Sequence, residues 1–219
     1  PLADAVRSDF MKEMKGLTVL VKSLKIPCYI IGMGARAPYE PEDGFSFSYD
    51  NIVKDFLTAV LEKSSIIGIR GSITADYLSR LGFKEESDFT VIGCPSMYMF
   101  GRDGISIRKT AISENSKICY NENVLSTDEL SVFIRKSAKR FKESYFIPQQ
   151  VKELKILYAG VPYTDEHPKG FPCKITDPVY LNGESLFFGN VPSWINFMKT
   201  VDFCFGSRLH GNIVAVLAG

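Results

Sequence analysis

The turn from Gly206 to Gly211 carries residues whose types and spacing could do chemistry. It reads Gly-Ser-Arg-Leu-His-Gly and lies between a short apolar run, 202–205, and a segment with helical spacing of apolar residues. This order predicts a strand, a tight turn and a helix start with Ser207 as the N-cap. Because the first amides of a helix favour an anion, Arg208 and His210 would add a cation and a proton donor to an anion site. The local pattern alone favours a plainer interpretation, a capped helix with Arg208 in solvent and His210 packed on its side.

Composition excludes several classes of protein. The chain has 219 residues, of which 45% are hydrophobic and 23% charged, and this is typical of a globular protein with one large or two small domains. A net charge of +1, without aromatic residues interleaved among basic clusters, argues against nucleic-acid binding. No stretch is apolar over the length of a membrane span, and the five cysteines have no metal-ligand spacing. We therefore expect a cytoplasmic protein with free, buried thiols, no integral membrane segment and no metal.

The first half of the chain alternates helices with apolar strands. Its predicted elements are a helix over 10–24, a strand over 28–34, a helix over 51–63, a strand over 65–70, a helix over 72–81 and a strand over 89–93. Gly82 is expected to follow the third helix at its C-cap. Such alternation is typical of a parallel sheet covered on both faces, where ligands bind beyond the carboxyl ends of the strands.

A polar connector precedes a second alternation, and we place a boundary between domains 1–112 and 113–219. The predicted elements of the second half are a strand over 117–120, a helix over 126–142, strands over 154–158 and 186–188, a helix over 192–198 and a strand over 202–205. The first of these helices would begin with a capping box, Ser126 to Glu129. The segment 161–183 shows no convincing element, so it is a functional loop, a disordered loop or a missed element.

Polar residues follow other predicted strands. Arg70 ends a strand and precedes Gly71 and the predicted cap Ser72, which would place a second cation beside a second helix start. Arg36 would be a third cation at the same edge, or a solvated loop residue. Asn121 would bind sugar hydroxyls or form a turn with its polar neighbours. Two explanations of these cations at strand ends stay open. They bind one anion between the two halves of the chain, or they are a chance feature that is common in α/β folds.

Three stretches, 69–74, 91–96 and above all 206–211, resemble the polysaccharide pyruvyl transferase family, and with the pattern between them the resemblance covers most of the chain. It implies an α/β fold of two Rossmann-like domains that face each other across a cleft, GT-B-like, with parallel sheets covered by helices. Members of the family begin with a strand and a Gly-Asp loop and continue past the Arg-Leu-His motif, so we expect this chain to be a fragment. Gly71 stands where an acidic residue commonly follows the arginine.

The resemblance implies transfer of the pyruvyl group of phosphoenolpyruvate to two hydroxyls of one sugar, as a cyclic ketal, in bacterial-type cell-surface polysaccharide synthesis. Arg208 and Arg70 would bind the phosphate and carboxylate of the donor, and His210 would act as general acid/base. Residues two apart on a helix point to different sides, so Arg208 must precede the helix if it shares a ligand with His210. The other residues expected at the substrate site are Ser207, Gly211, Arg36 and Asn121.

The resemblance also implies the partners of the protein. The donor would be phosphoenolpyruvate with no further cofactor, and the acceptor a sugar or oligosaccharide, either lipid-linked or polymeric. The enzyme would act in the cytoplasm, with or without contact to the inner face of the membrane. Two alternatives stay open. A GT-B glycosyltransferase would hold a nucleotide sugar at the same turn, and a non-catalytic carbohydrate- or anion-binding module would bind without releasing phosphate.

Overall fold

The computed structural model describes residues 6–36 and 46–219 of the chain. The chain divides into two compact units, Pro1–Tyr98 and Met99–Gly219, each with parallel strands and helices. Residues 99–112 therefore group with the second unit, whereas the sequence places the boundary after them. Within the described ranges, no helix has both the length and the apolar character needed to cross a membrane.

Unit 1 packs helices against a short parallel sheet. Its elements are a 3-10 helix (Ser8–Phe10), α1 (Met11–Ser23), α2 (Asp50–Leu61), β1 (Ile67–Ile69), α3 (Ser72–Arg80), β2 (Phe89–Val91) and a 3-10 turn (Pro95–Tyr98). β1 and β2 pair in parallel, with Ile67 opposite Phe89. The apolar faces of α1 and α2 meet in one core, as their spacing predicts. Gly82 follows α3 with a φ of 93°, which confirms the predicted helix end.

The predicted strand over 28–34 is not a regular strand, although its backbone runs beside β1. The Gly68 amide donates to the Ile30 carbonyl at 2.9 Å, and the Gly32 amide donates to the Gly68 carbonyl at 2.9 Å. Gly32 has a φ of 73°, and a Cβ added to it would lie 2.4 Å from the Pro95 ring. This left-handed residue interrupts the ladder, because extended strands need negative φ.

Unit 2 contains a three-stranded parallel sheet in the order β4-β3-β5. Its elements are β3 (Lys117–Asn121), α4 (Asp128–Ala138), β4 (Glu143–Phe146), α5 (Val151–Ala159), α6 (Pro178–Leu181), α7 (Val191–Met198), β5 (Phe203–Gly206) and α8 (Leu209–Ala218). Because β4 and β5 both run parallel to β3, the carboxyl ends of all three strands lie at one edge. The next helix after each strand begins beyond this edge, which brings the starts of α4, α5 and α8 to the same side of the sheet.

The predicted strand over 154–158 is wrong, since these residues lie in α5. A short apolar run fits a strand or a helix. Here the contacts at the start and at the end of the run stabilise a helix. At the start, the Glu153 carboxylate accepts from the Gln150 amide at 3.1 Å. At the end, Gly160 adopts a φ of 65° and its amide bonds to the Ile156 carbonyl. The strand comes earlier, as β4, which begins directly after the end of the helix predicted over 126–142.

The segment 161–183 packs on the core of unit 2 and ends in α6. Tyr163 and Phe171 are buried in that core. The Lys169 amide donates to the Asp128 carboxylate at 2.7 Å, which fastens the segment to the start of α4. The ring of His167 lies 6.0 Å, centroid to centroid, from the rings of both Tyr163 and Phe171. The long loop is therefore a packed segment with a missed helix.

Two smaller expectations also change. The predicted strand over 186–188 reduces to a bridge between Ser185 and Phe146. All five cysteines are free, as predicted, but only Cys119 is buried and the other four are half-buried.

Candidate functional site

The Gly206–Gly211 turn connects β5 to α8 at the carboxyl edge of the unit 2 sheet. Arg208 is the N-cap of α8, with a φ of −98° and a ψ of 115°, so it precedes the helix. His210 follows in the first helical turn and is exposed. Arg208 thus lies before the helix, as it must if it is to share a ligand with His210. Its extended backbone does not hold the two side chains on opposite sides of a regular helix.

Ser207 is not the N-cap of α8, contrary to the prediction. Its hydroxyl accepts from the Asn123 amide at 2.8 Å and lies 2.8 Å from the Ser126 hydroxyl. Ser126 is therefore engaged here and does not form the predicted capping box. Instead, Thr127 caps α4 by accepting from the Leu130 amide at 3.3 Å. The two serines join the turn after β5 to the turn after β3.

Asn121 supports the Gly206–Gly211 turn from inside the sheet. It is 1% exposed, and its side-chain oxygen accepts from the Arg208 amide at 2.7 Å. Its side-chain nitrogen donates to Asn212 at 3.1 Å, and Asn212 donates to the Gly206 carbonyl at 3.0 Å. The carboxamide of Asn121 is thus fully engaged within the protein. These bonds support the alternative in which Asn121 shapes the turn, and its contact with a sugar stays a prediction.

The two glycines of the turn allow a close approach to Asn121. Gly206 has a φ of 149°, and a Cβ added to it would lie 2.0 Å from the Asn121 carbonyl oxygen. A Cβ on the buried Gly211 would lie 2.5 Å from the side-chain nitrogen of Asn121. Gly211 therefore allows this close packing, and its place at a substrate site stays a prediction.

We expect Gly206→Ala to lower the free energy of unfolding of unit 2 by about 2–4 kcal/mol, because it adds backbone strain and a clash with Asn121. Urea unfolding followed by circular dichroism measures the change. Gly189→Ala is the matched control, since a Cβ there meets nothing within 4 Å. Equal stability of the two variants would contradict the proposed close approach.

The guanidinium of Arg208 reaches across to the start of α5. The side-chain oxygen of Gln150 accepts from Nη1 at 3.0 Å and from Nη2 at 2.9 Å. The opposite orientation of the carboxamide would point its NH2 group at the guanidinium donors, so the oxygen must face Arg208. Gln150 is the N-cap of α5. A neutral amide oxygen thus accepts a hydrogen bond from each terminal nitrogen of the guanidinium.

A buried carboxylate lies behind this contact. Glu153 is 0% exposed, and its Oε2 accepts from the amides of Gln149 at 2.7 Å and Gln150 at 3.1 Å. Burial raises the pKa of the Glu153 carboxyl, while the two amide bonds and the charge of Arg208 oppose that rise. Within the described ranges, Glu153 Oε1 and the side-chain nitrogen of Gln149 have no hydrogen-bond partner. The positive charge of Arg208 therefore acts on this carboxyl against the effect of burial.

A second buried carboxylate stabilises the turn after β3. Glu122 is 1% exposed and forms a salt bridge with Arg135 of α4, with Oε2 2.8 Å from the guanidinium nitrogen. Its charge acts on the Glu153 carboxyl and adds to the rise in its pKa. Glu122 is thus paired with an arginine, whereas Glu153 accepts from two backbone amides.

Unit 1 brings Arg36 and Arg70 together. They line an open depression of about 660 Å³ with the first turn of α3. The Nε of Arg70 donates to the Gly32 carbonyl at 2.8 Å, and Arg36 is exposed. Gly71, rather than the predicted Ser72, is the N-cap of α3. The participation of these arginines in one site with Arg208 stays a prediction.

The sequence analysis missed Gln149, Gln150 and Glu153. The spacing Gln150-x-x-Glu153 before an apolar run is a helix-start signal, and it was available in the sequence. Nothing in that spacing indicates a contact with Arg208, which depends on the pairing of β4 and β5 with β3. Over the part of the chain that is described, no group of three or more His, Cys, Asp or Glu side chains could hold a metal ion.

Comparison with known proteins shows the family of this chain. Residues 8–219 match the model of a family described as polysaccharide pyruvyl transferase. Comparisons with curated proteins and with solved structures gave no match. The family match spans both units and includes the whole turn from Gly206 to Gly211. This chain therefore belongs to the polysaccharide pyruvyl transferase family.

Proposed function

We propose that this chain transfers the pyruvyl group of phosphoenolpyruvate to two hydroxyls of one sugar, forming a cyclic ketal and releasing phosphate. Membership of the family supports a transferase with a polysaccharide-related acceptor. The observation that carries the proposal is the turn after β5, where Arg208 precedes α8 and His210 follows in its first turn.

The start of α8 is the best place for an anion at this edge. Three helices begin there, and each helix start carries a partial positive charge. The first turn of α4 contains Asp128 and Glu129, and that of α5 contains Glu153, so acidic side chains offset the charge at both. The first turn of α8 contains no acidic residue, and its N-cap side chain is the guanidinium of Arg208. An anionic donor would therefore bind at α8.

The donor needs two kinds of protein group. Its phosphate and carboxylate need charged hydrogen-bond donors, and the planar guanidinium of Arg208 supplies two parallel N–H groups for either. Formation of the ketal makes two bonds from sugar oxygens to the central carbon and breaks the bond from that carbon to the phosphate oxygen. One hydroxyl proton goes to the methylene carbon, and the other leaves with phosphate. His210 would carry these protons, since its ring is exposed beside Arg208.

The proposal extends to unit 1 and to the acceptor. Arg70, with Arg36 beside it, would bind the second anionic group of the donor. The GT-B-type arrangement of two Rossmann-like domains is part of the proposal. The acceptor would be a sugar or oligosaccharide, lipid-linked or polymeric, and the enzyme would act in the cytoplasm.

Thermal unfolding with candidate donors tests the proposal. Phosphoenolpyruvate at a hundred times its dissociation constant should stabilise the protein by about 2.7 kcal/mol, whereas nucleotide sugars should give no shift. Phosphate release in the presence of sugar acceptors then reports the transfer. Protection by a nucleotide sugar alone would favour glycosyl transfer. Protection without phosphate release from any acceptor would favour a binding module, and protection by neither donor would contradict the proposed donor.

A further inference from the structure

Gln150 occupies the group of Arg208 that the proposed donor needs. Its side-chain oxygen accepts from both terminal nitrogens of the guanidinium, at 3.0 and 2.9 Å. This oxygen accepts from the end-on pair of N–H groups, so a phosphate or carboxylate that binds Arg208 through this pair would have to take its place. This contact therefore competes directly with an anion for the same N–H groups.

The position of Gln150 is fixed by buried groups. Its backbone amide donates to the fully buried Glu153, which also accepts from the amide of Gln149. These bonds hold the last two of the four residues, 147–150, that connect β4 to α5, so the Gln150 side chain starts from a fixed N-cap. The approach of this turn to Arg208 is thus built into the fold of unit 2.

We propose that Gln150 is a specificity-determining residue, which competes for Arg208 and so admits only ligands with charged oxygens. The inference rests on the proposed function, in which Arg208 binds the donor. Hydrogen bonds from a guanidinium to an ionised oxygen are roughly twice as strong as those between neutral groups. A neutral sugar hydroxyl offers Arg208 no more than the amide of Gln150 does, so it does not displace the amide. A phosphate or carboxylate does displace it.

Gln150→Met tests the competition, because methionine keeps the length of the side chain and removes the competing oxygen. We expect the dissociation constant of phosphoenolpyruvate, measured by calorimetric titration of the full chain, to fall by about three- to tenfold. The dissociation constant of inorganic phosphate should fall in parallel. An unchanged or higher dissociation constant would overturn the proposal, since Gln150 would then be neutral or would help to orient Arg208.

Gln150→Glu tests the same contact, with the opposite change expected in the dissociation constant. A carboxylate against Arg208 is a stronger competitor, so the dissociation constant of phosphoenolpyruvate should rise by at least about tenfold. Asn115→Asp is the matched control, since it adds the same charge at an exposed position before the amino end of β3, at the opposite edge of the sheet. If both variants bound phosphoenolpyruvate equally weakly, net charge alone would explain the effect, and the proposal would be overturned.

Arg208→Ala separates this inference from the proposed function. If this variant binds phosphoenolpyruvate as the wild type does, the donor does not use Arg208 and the proposed site fails. If it loses binding while Gln150→Met binds no more tightly than wild type, the donor site holds and only the competition by Gln150 is wrong. Thermal unfolding of each variant shows whether it is folded.

Discussion

Replacing His210 with alanine should lower kcat of the pyruvyl transfer by at least about 100-fold while leaving the dissociation constant of phosphoenolpyruvate within about threefold. The ring is exposed, and within the described ranges no hydrogen bond engages it. Its loss therefore removes a proton carrier without disturbing packing or the Arg208 contact. Stopped assays of phosphate release give kcat, and calorimetric titration gives the donor affinity.

His167→Ala is the matched control, because His167 is the only other histidine. Its ring packs beside Tyr163 and Phe171 in the segment before α6, so its replacement should lower stability slightly and leave kcat unchanged. A His210→Ala variant with kcat within threefold of the wild type would remove His210 from the proton transfers.

The fold was predictable where periodicity was long. α1 and α2 each bury one face over several turns, and that pattern indicates a helix without reference to the rest of the chain. The short elements were not predictable in this way. The run 154–158 fits a strand by composition, and its helix depends on the end contacts of Glu153 and Gly160. β4 was missed because its first residues are polar and only Phe146 is buried.

The strand–turn–helix order around the candidate site was predictable, and the contacts of its residues were only partly so. The strand–turn–helix order placed Arg208 and His210 correctly, since it depends on local sequence alone. The partner of Ser207 is the Asn123 amide, 84 positions away along the chain. Such a contact follows from the pairing of β3 with β5, which no local pattern specifies.

The structure also divides the predicted residues of unit 2 by task. Asn121, Ser207 and Gly211 are engaged with one another or with the neighbouring turn. The side chain of His210 is exposed and the guanidinium of Arg208 contacts Gln150, and these are the two members of the set that we propose to act on the donor. Sequence spacing cannot separate these tasks, because polar residues that shape a turn and polar residues that bind a ligand look alike.

Arg208→Lys should raise the dissociation constant of phosphoenolpyruvate by at least about tenfold, although the charge is kept. The two terminal nitrogens of Arg208 meet a single oxygen of Gln150 at 3.0 and 2.9 Å, so the guanidinium presents two adjacent N–H donors at the place where we propose that the donor displaces Gln150. An ammonium group offers one nitrogen and cannot form two parallel bonds with a phosphate or carboxylate. Calorimetric titration with phosphoenolpyruvate measures the loss.

Arg140→Lys is the matched control, because Arg140 is exposed and lies beyond the far end of α4. It should bind phosphoenolpyruvate as the wild type does. Comparison with Arg208→Ala then separates the charge of Arg208 from its shape. If lysine restores full affinity where alanine loses it, the site needs only a positive charge. A site that needs the fork instead shows nearly equal loss in both variants, because a lone ammonium cannot form the two parallel bonds.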